Sequence, residues 1–93
     1  MNKHIAVIIP AYNEEKTVGE VVRRVKALGQ GFDVVVINDS SRDRTAQSAE
    51  AAGATVIELP YNLGIGGAVQ TGFKYAVMKG VLVVGDIKRM RPA

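Results

Sequence analysis

Four short apolar runs, spaced by segments with helical periodicity, constrain this chain more than any other feature. The first is Ile5-Ala6-Val7-Ile8-Ile9, closed by Pro10, and the second is Val34-Val35-Val36-Ile37. The third, Thr55-Val56-Ile57-Glu58-Leu59, ends at Pro60, and the fourth is Val81-Leu82-Val83-Val84. The first is apolar at every position, without alternation, which suits a strand buried on both faces. Between the four runs the pattern turns helical, giving the order β-α-β-α-β-α-β with short connections. That order predicts an α/β fold, an open parallel sheet with right-handed crossovers and strand order 3-2-1-4. The 93 residues allow one small domain, 1–87, followed by a basic tail, 88–93.

The helical segments carry their own signals. Asn13 is expected to cap the first helix, with Glu14 and Glu15 at the positive end of its dipole. Val18, Val21, Val22, Val25 and Leu28 recur at helical spacing, and Gly29 and Gly31 are expected to end the helix. Ser41 or Asp43 is expected to cap a second, alanine-faced helix with Ala46, Ala49 and Ala52 inward, stopped by Gly53. The third helix follows Asn62-Leu63-Gly64-Ile65-Gly66-Gly67, and Val69, Phe73, Ala76 and Val77 mark its expected buried stripe.

Charge placement bears on partners. Residues 1–87 hold nine basic and nine acidic side chains, so the net charge of +3 comes entirely from Lys88, Arg89 and Arg91. A basic tail without a basic face argues against nucleic-acid binding. The chain has no cysteine, which excludes disulfides and thiolate metal sites and fits a reducing compartment. No apolar run approaches the roughly 20 residues of a membrane span, and Met1-Asn2-Lys3-His4 lacks signal-peptide architecture. The expected location is cytoplasmic.

In open parallel sheets, ligands bind beyond the carboxyl ends of the strands. Three polar segments fall there: Pro10-Ala11-Tyr12-Asn13-Glu14, Asn38-Asp39-Ser40-Ser41, and Asp86. The glycine-rich stretch does not define a dinucleotide site. Gly64-Ile65-Gly66-Gly67-Ala68-Val69 has Val69 where G-x-G-x-x-G needs its last glycine, and it follows the third strand instead of the first. Gly67 to Gly72 has P-loop spacing, but Phe73 and Lys74 stand where Lys and Ser or Thr are required.

Three segments together carry a family resemblance. Val7-Ile8-Ile9-Pro10-Ala11-Tyr12-Asn13-Glu14-Glu15 resembles the opening motif of family 2 inverting glycosyltransferases of the GT-A fold. Asn38-Asp39-Ser40-Ser41-Arg42-Asp43-Arg44-Thr45 resembles that family's second motif, Asp-x-Ser-x-Asp-x-Thr, and Asn62 to Ala68 its third segment. The resemblance covers roughly residues 4–80, and the polyprenyl-phosphate sugar transferases share the opening closely. It implies binding of a UDP- or GDP-linked sugar and, in the intact family, its transfer to an acceptor with inversion. Pro10, Ala11, Tyr12 and Glu14 would line the nucleotide pocket; Ile37 and Asp39 would contact the base, Asp39 accepting from a ring N–H. Peripheral membrane association of full-length relatives would be compatible with it.

Plainer readings stand beside these. Asp39 could cap a helix, Asp43 and Thr45 are explained by a helix start, Tyr12 could cover the sheet edge, and Glu14 suits a first turn. His4 reads as structural, and Gly64, Gly66 and Gly67 serve backbone geometry. The family pattern breaks at its metal motif. After the fourth strand the family places Asp-x-Asp to hold Mg²⁺ or Mn²⁺, whereas here Asp86 is followed by Lys88. Asp86 is thus the one candidate metal ligand, and weak or absent metal binding is expected. No acceptor-side base is in view, so no catalytic residue is assigned and no turnover is expected from these 93 residues. A non-catalytic nucleotide-binding module or an assembly fragment is the alternative. Self-association through the fourth-strand edge, giving a dimer, is also expected.

Overall fold

A computed structural model of the chain describes residues 5–28, 32–79 and 82–86. In chain order the elements are β1 (Ile5–Ala11), α1 (Val18–Ala27), β2 (Phe32–Asn38), α2 (Thr45–Ala51), β3 (Thr55–Glu58), α3 (Gly64–Lys79) and β4 (Leu82–Asp86). The strands form one sheet in the order β3-β2-β1-β4, every neighbouring pair parallel. The α/β class expected from the alternation is the one observed. Val7 faces Val34 and Ala11 faces Asn38 across β1 and β2, so the two strands end level with each other. Between β1 and β4 the register shifts after Ala6, which leaves Val84 unmatched.

The continuous apolar runs are explained by the two layers they serve. Val7, Ile9 and Ala11 of β1, with Val34 and Val36 of β2, pack with Val18, Val22 and Val25 of α1 and Ala49 of α2. The alternate residues, Ala6 and Ile8 with Val35 and Ile37, pack on the opposite face around Ala68 of α3, with Tyr75 beside them. Each valine or isoleucine so buried contributes roughly 1.5–3 kcal/mol, and the two central strands bury nothing but apolar side chains until they reach Asn38.

Several local expectations change. Asn13 does not cap α1: the helix begins four residues later, after Thr17, without a side-chain cap bond. Asn13 instead takes a left-handed φ of 53°, and a turn follows in which the Glu14 carbonyl accepts from Thr17 N (3.0 Å) and Val18 N (2.9 Å). The buried stripe of α1 is Val18, Val22 and Val25; Leu28 follows the helix and is 72% exposed. Gly29 and Gly31 lie outside the described residues. Helix α2 starts after Arg44; Asp43 accepts from Thr45 N at 3.0 Å, while Ser41 bonds elsewhere. Gly53, at φ 100°, stops α2 as its sequence position implies.

The largest correction concerns α3. Its sheet-facing positions are Ala68, Gly72 and Tyr75, one residue out of phase with the expected Val69 and Phe73. Val69 is half-buried and Phe73 is 45% exposed, while the Ala76 and Val77 side chains lie outside the described part. Two of these positions, Ala68 and Gly72, are small because the helix lies close to β1 there. A methyl group at Gly72 would overlap Ile8 Cγ2 and come within 3.2 Å of Ile8 Cδ1.

Candidate functional site

At the carboxyl edge of the sheet, three loops leave β1, β2 and β3 and are tied together by hydrogen bonds. The β1–α1 and β2–α2 loops meet first. Asp39 N donates to Ala11 O (2.9 Å), and Asn13 N donates to Ser41 Oγ (3.0 Å). Arg42 N returns a bond to Asn13 Oδ1 (2.9 Å), Glu14 N donates to Thr45 Oγ1 (2.8 Å), and Glu15 N donates to Asp43 Oδ2 (3.3 Å). Both loops carry a left-handed non-glycine residue, Asn13 and Ser40 (φ 62°), a conformation that costs on the order of 1 kcal/mol for an L-residue. The cross-loop bonds hold those conformations in place.

The second loop is tied to the third through Asp39. This carboxylate is 4% exposed, and both oxygens are engaged: Leu63 N donates to Oδ1 at 2.7 Å and Gly64 N to Oδ2 at 2.8 Å. Asp39 therefore caps a helix, but it is α3, not the α2 that follows it in sequence. The negative charge sits at the positive end of the α3 dipole, the favourable arrangement. Gly64 enters the helix at φ 76°, a region open to glycine at little cost. Asn62 completes the join, its Oδ1 accepting from Gly64 N (3.0 Å) and its Nδ2 donating to Asp39 O (3.4 Å).

Between the three loops lies a cavity of about 360 Å³. Pro10, Ala11, Tyr12 and Glu14 line it from the first loop, Asp39 from the second, and Asn62 and Gly64 from the third. That volume lies within the range of small-molecule sites. Tyr12, 45% exposed, offers a ring face and a hydroxyl, and Asp39 has a second lone pair on each oxygen beyond its two amide bonds. The described lining includes two acidic side chains and no basic one.

Most residues singled out in the sequence thus gather at one place. Ile37 does not: its side chain is fully buried in the layer under α3 and lines no part of the cavity. Asp86 ends β4, but its carboxylate lies outside the described part. Among the described residues, no three His, Cys, Asp or Glu side chains come together in a way that could hold a metal ion. Sequence reasoning missed Asn62 as lining and Thr45 as a fully buried acceptor. The Asn-x-Gly step ahead of a helix could have pointed to the first; for the second the signal was the place of Thr45 at the end of the second motif.

The ionisation of Asp43 is clearly displaced. The Thr45 hydroxyl, then the Glu15 and Thr45 amides, hold its carboxyl below the ordinary value of 3.8, against the opposing effect of desolvation.

Comparison with known proteins agrees with this geometry. Residues 6–86 match the family model described as glycosyl transferase family 2. The chain is 37% identical over 90 residues to an undecaprenyl-phosphate 4-deoxy-4-formamido-L-arabinose transferase of Pseudomonas aeruginosa, covering 86% of this chain and 26% of that protein. A 4,4'-diaponeurosporenoate glycosyltransferase of Staphylococcus aureus is 41% identical over 58 residues, covering 62% of this chain and 16% of that one. Among solved structures, glucosyl-3-phosphoglycerate synthase from Mycobacterium tuberculosis, in complex with Mg²⁺ and uridine diphosphate, superposes with a TM-score of 0.68 at 28% identity. That match covers 80% of this chain and 30% of the synthase. The chain spans less than a third of the length of each of these relatives. With a family match running from β1 to β4, above which the cavity sits at the sheet's carboxyl edge, the chain belongs to glycosyl transferase family 2.

Proposed function

We propose that this chain forms the part of a family 2 glycosyltransferase that binds the nucleoside-diphosphate sugar, and that the cavity between the three loops is its seat. The observation that carries the reading is the joint lining of that cavity by Tyr12 and Asp39, an aromatic face beside a buried carboxylate. A base stacked on Tyr12 could present an imide N–H to a free lone pair of Asp39. The related synthase crystallised with uridine diphosphate supports uridine as the first nucleoside to test.

The described lining has no basic side chain to meet a diphosphate. In this reading a divalent cation offsets that charge in the family, and Asp86 is the residue of this chain that would contribute to holding it. Lys88, where a second carboxylate is expected, favours weak metal binding and a second reading in which these 93 residues bind nucleotide without turnover. No helix among the described residues is long and apolar enough to cross a membrane. The absence of cysteine supports a cytoplasmic setting, and peripheral contact with a membrane is compatible with the reading. We further propose self-association through β4, which among the described strands is paired only with β1.

Calorimetric titration of the chain with uridine, uridine diphosphate and guanosine diphosphate, each with and without Mn²⁺, tests the assignment. Saturable binding of a diphosphate is expected, strengthened little by the metal. Absence of binding by all three would remove the nucleotide reading.

A further inference from the structure

Asp43 and Thr45 stand outside the lining of the cavity, yet they make bonds that a helix start does not need. A helix start needs no more than the local bond that Asp43 accepts from Thr45 N, at 3.0 Å through Oδ1. Two further bonds reach across to the first loop. Thr45 Oγ1, fully buried, accepts from Glu14 N at 2.8 Å, and Asp43 Oδ2 accepts from Glu15 N at 3.3 Å. The Thr45 hydroxyl in turn donates to Asp43 Oδ1, so its proton is committed and its lone pair faces Glu14 N. The result is a directed chain from the Glu14 amide through the hydroxyl to the carboxylate, with a second amide on the carboxylate's other oxygen. Neither of these amides belongs to a strand ladder or a helix. Both follow Asn13, whose left-handed φ turns the chain toward α2.

We propose that Asp43 and Thr45 are positioning residues for ligand binding, fixing the Tyr12–Glu14 wall of the cavity at its distance from Asp39 without touching the ligand. The inference rests on the nucleotide reading above. With the chain Glu14–Thr45–Asp43 broken, the wall would keep its bonds from Asn13 to Ser41 and Arg42, which are solvent-exposed and so hold less firmly. The opposite wall would be unaffected, because Asp39 is fixed independently by Leu63 and Gly64. Loss of the link would widen the spread of distances between the two walls while the sheet beneath them stays intact.

Three versions of the full 93-residue chain test this: the parent, Thr45→Val, which keeps shape and loses the hydroxyl, and Thr45→Ser, which keeps the hydroxyl. Two quantities are read, amide hydrogen exchange at Glu14 and Glu15, and the Kd for uridine diphosphate with Mn²⁺. In Thr45→Val, exchange at Glu14 should quicken by about tenfold or more and the Kd rise about tenfold, the loss expected for one buried hydrogen bond. Exchange in β1 and β2 should not change, and Thr45→Ser should restore both readouts. A merely structural role would loosen the sheet amides together with Glu14 and would not be selective. Unchanged exchange at Glu14 in Thr45→Val overturns the proposal, as does faster exchange with an unchanged Kd. If Thr45→Val does not fold, Asp43→Asn is read in the same two ways, with Glu15 as the reporting amide. If the parent itself binds no uridine diphosphate, the nucleotide reading fails, and exchange at Glu14 and Glu15 alone decides whether the link exists.

Discussion

Asp39 holds two amides at the start of α3 and also faces the cavity, so its replacement acts on both at once. In Asp39→Asn one carboxylate oxygen becomes an NH₂ group, which cannot accept from an amide, so one of the two bonds is lost. A charge-assisted bond of this kind is worth about 1.5–3 kcal/mol, and affinity for uridine diphosphate should fall roughly tenfold to a hundredfold by titration. Binding as tight as the parent's would place the ligand elsewhere. Asp43 offers a test by pH. Its folded-state value is depressed, so its contribution to stability is fully present above the ordinary value of 3.8 and disappears as pH falls through the lowered one. The difference in melting temperature between the parent and Asp43→Asn should therefore be largest near neutrality and shrink in acid; a constant difference would contradict it. Asp39 was legible in the sequence as a residue that matters, since a carboxylate after a buried strand must find partners. Its partners, Leu63 and Gly64, were not, because only tertiary folding brings amides from the third loop to it.

At the level of elements, the strands were the legible part. A run such as Val34-Val35-Val36-Ile37 has no polar face, so it must be covered on both sides, and it is. The faces of α3 were not legible, because weighting residues by size points to Phe73, whereas the requirement here is close approach. Gly72 meets it, lying directly over Ile8. Gly72→Val should therefore destabilise the fold by about 1–3 kcal/mol in urea unfolding, despite valine's narrower unfolded ensemble, because buried Ile8 has no room to move aside. Phe73→Ser should cost less than that. If Phe73→Ser proved the more damaging change, the helix would be facing the sheet with its other side. The start of α1 was misplaced for a related reason: Asn13 carries a capping side chain, but its bonds to Ser41 and Arg42 outcompete a cap.

For the molecule as a whole, two outcomes follow. In the reading proposed above, the 93 residues should show no sugar transfer in a donor-turnover assay with UDP-glucose, since Lys88 stands where the family pattern places the second metal carboxylate. Turnover would mean that the chemistry needs less than the family pattern suggests. If the proposed self-association holds, light scattering at micromolar concentration should report a dimer, because among the described strands β4 has a neighbour on one side only. A charge on that edge, Val83→Lys, should shift the mass toward a monomer; a parent that is already monomeric would show the edge to be shielded. The overall α/β layering followed from the order of apolar and periodic segments, which short parallel crossovers leave little freedom to arrange otherwise. The sheet order also has a kinetic side. β1 lies between β2 and β4, with residues 5 and 82 as neighbours in the finished sheet. A nascent chain can therefore pair β1 on one side early, but the other side stays open until residues 82–86 have been made. Closing so long a loop costs more entropy than closing the β1–β2 connection, so this pairing is expected to lag, and until it forms β1 has an unsatisfied edge. Yield on expression should therefore depend on how quickly β4 arrives, more than on how stable the finished fold is.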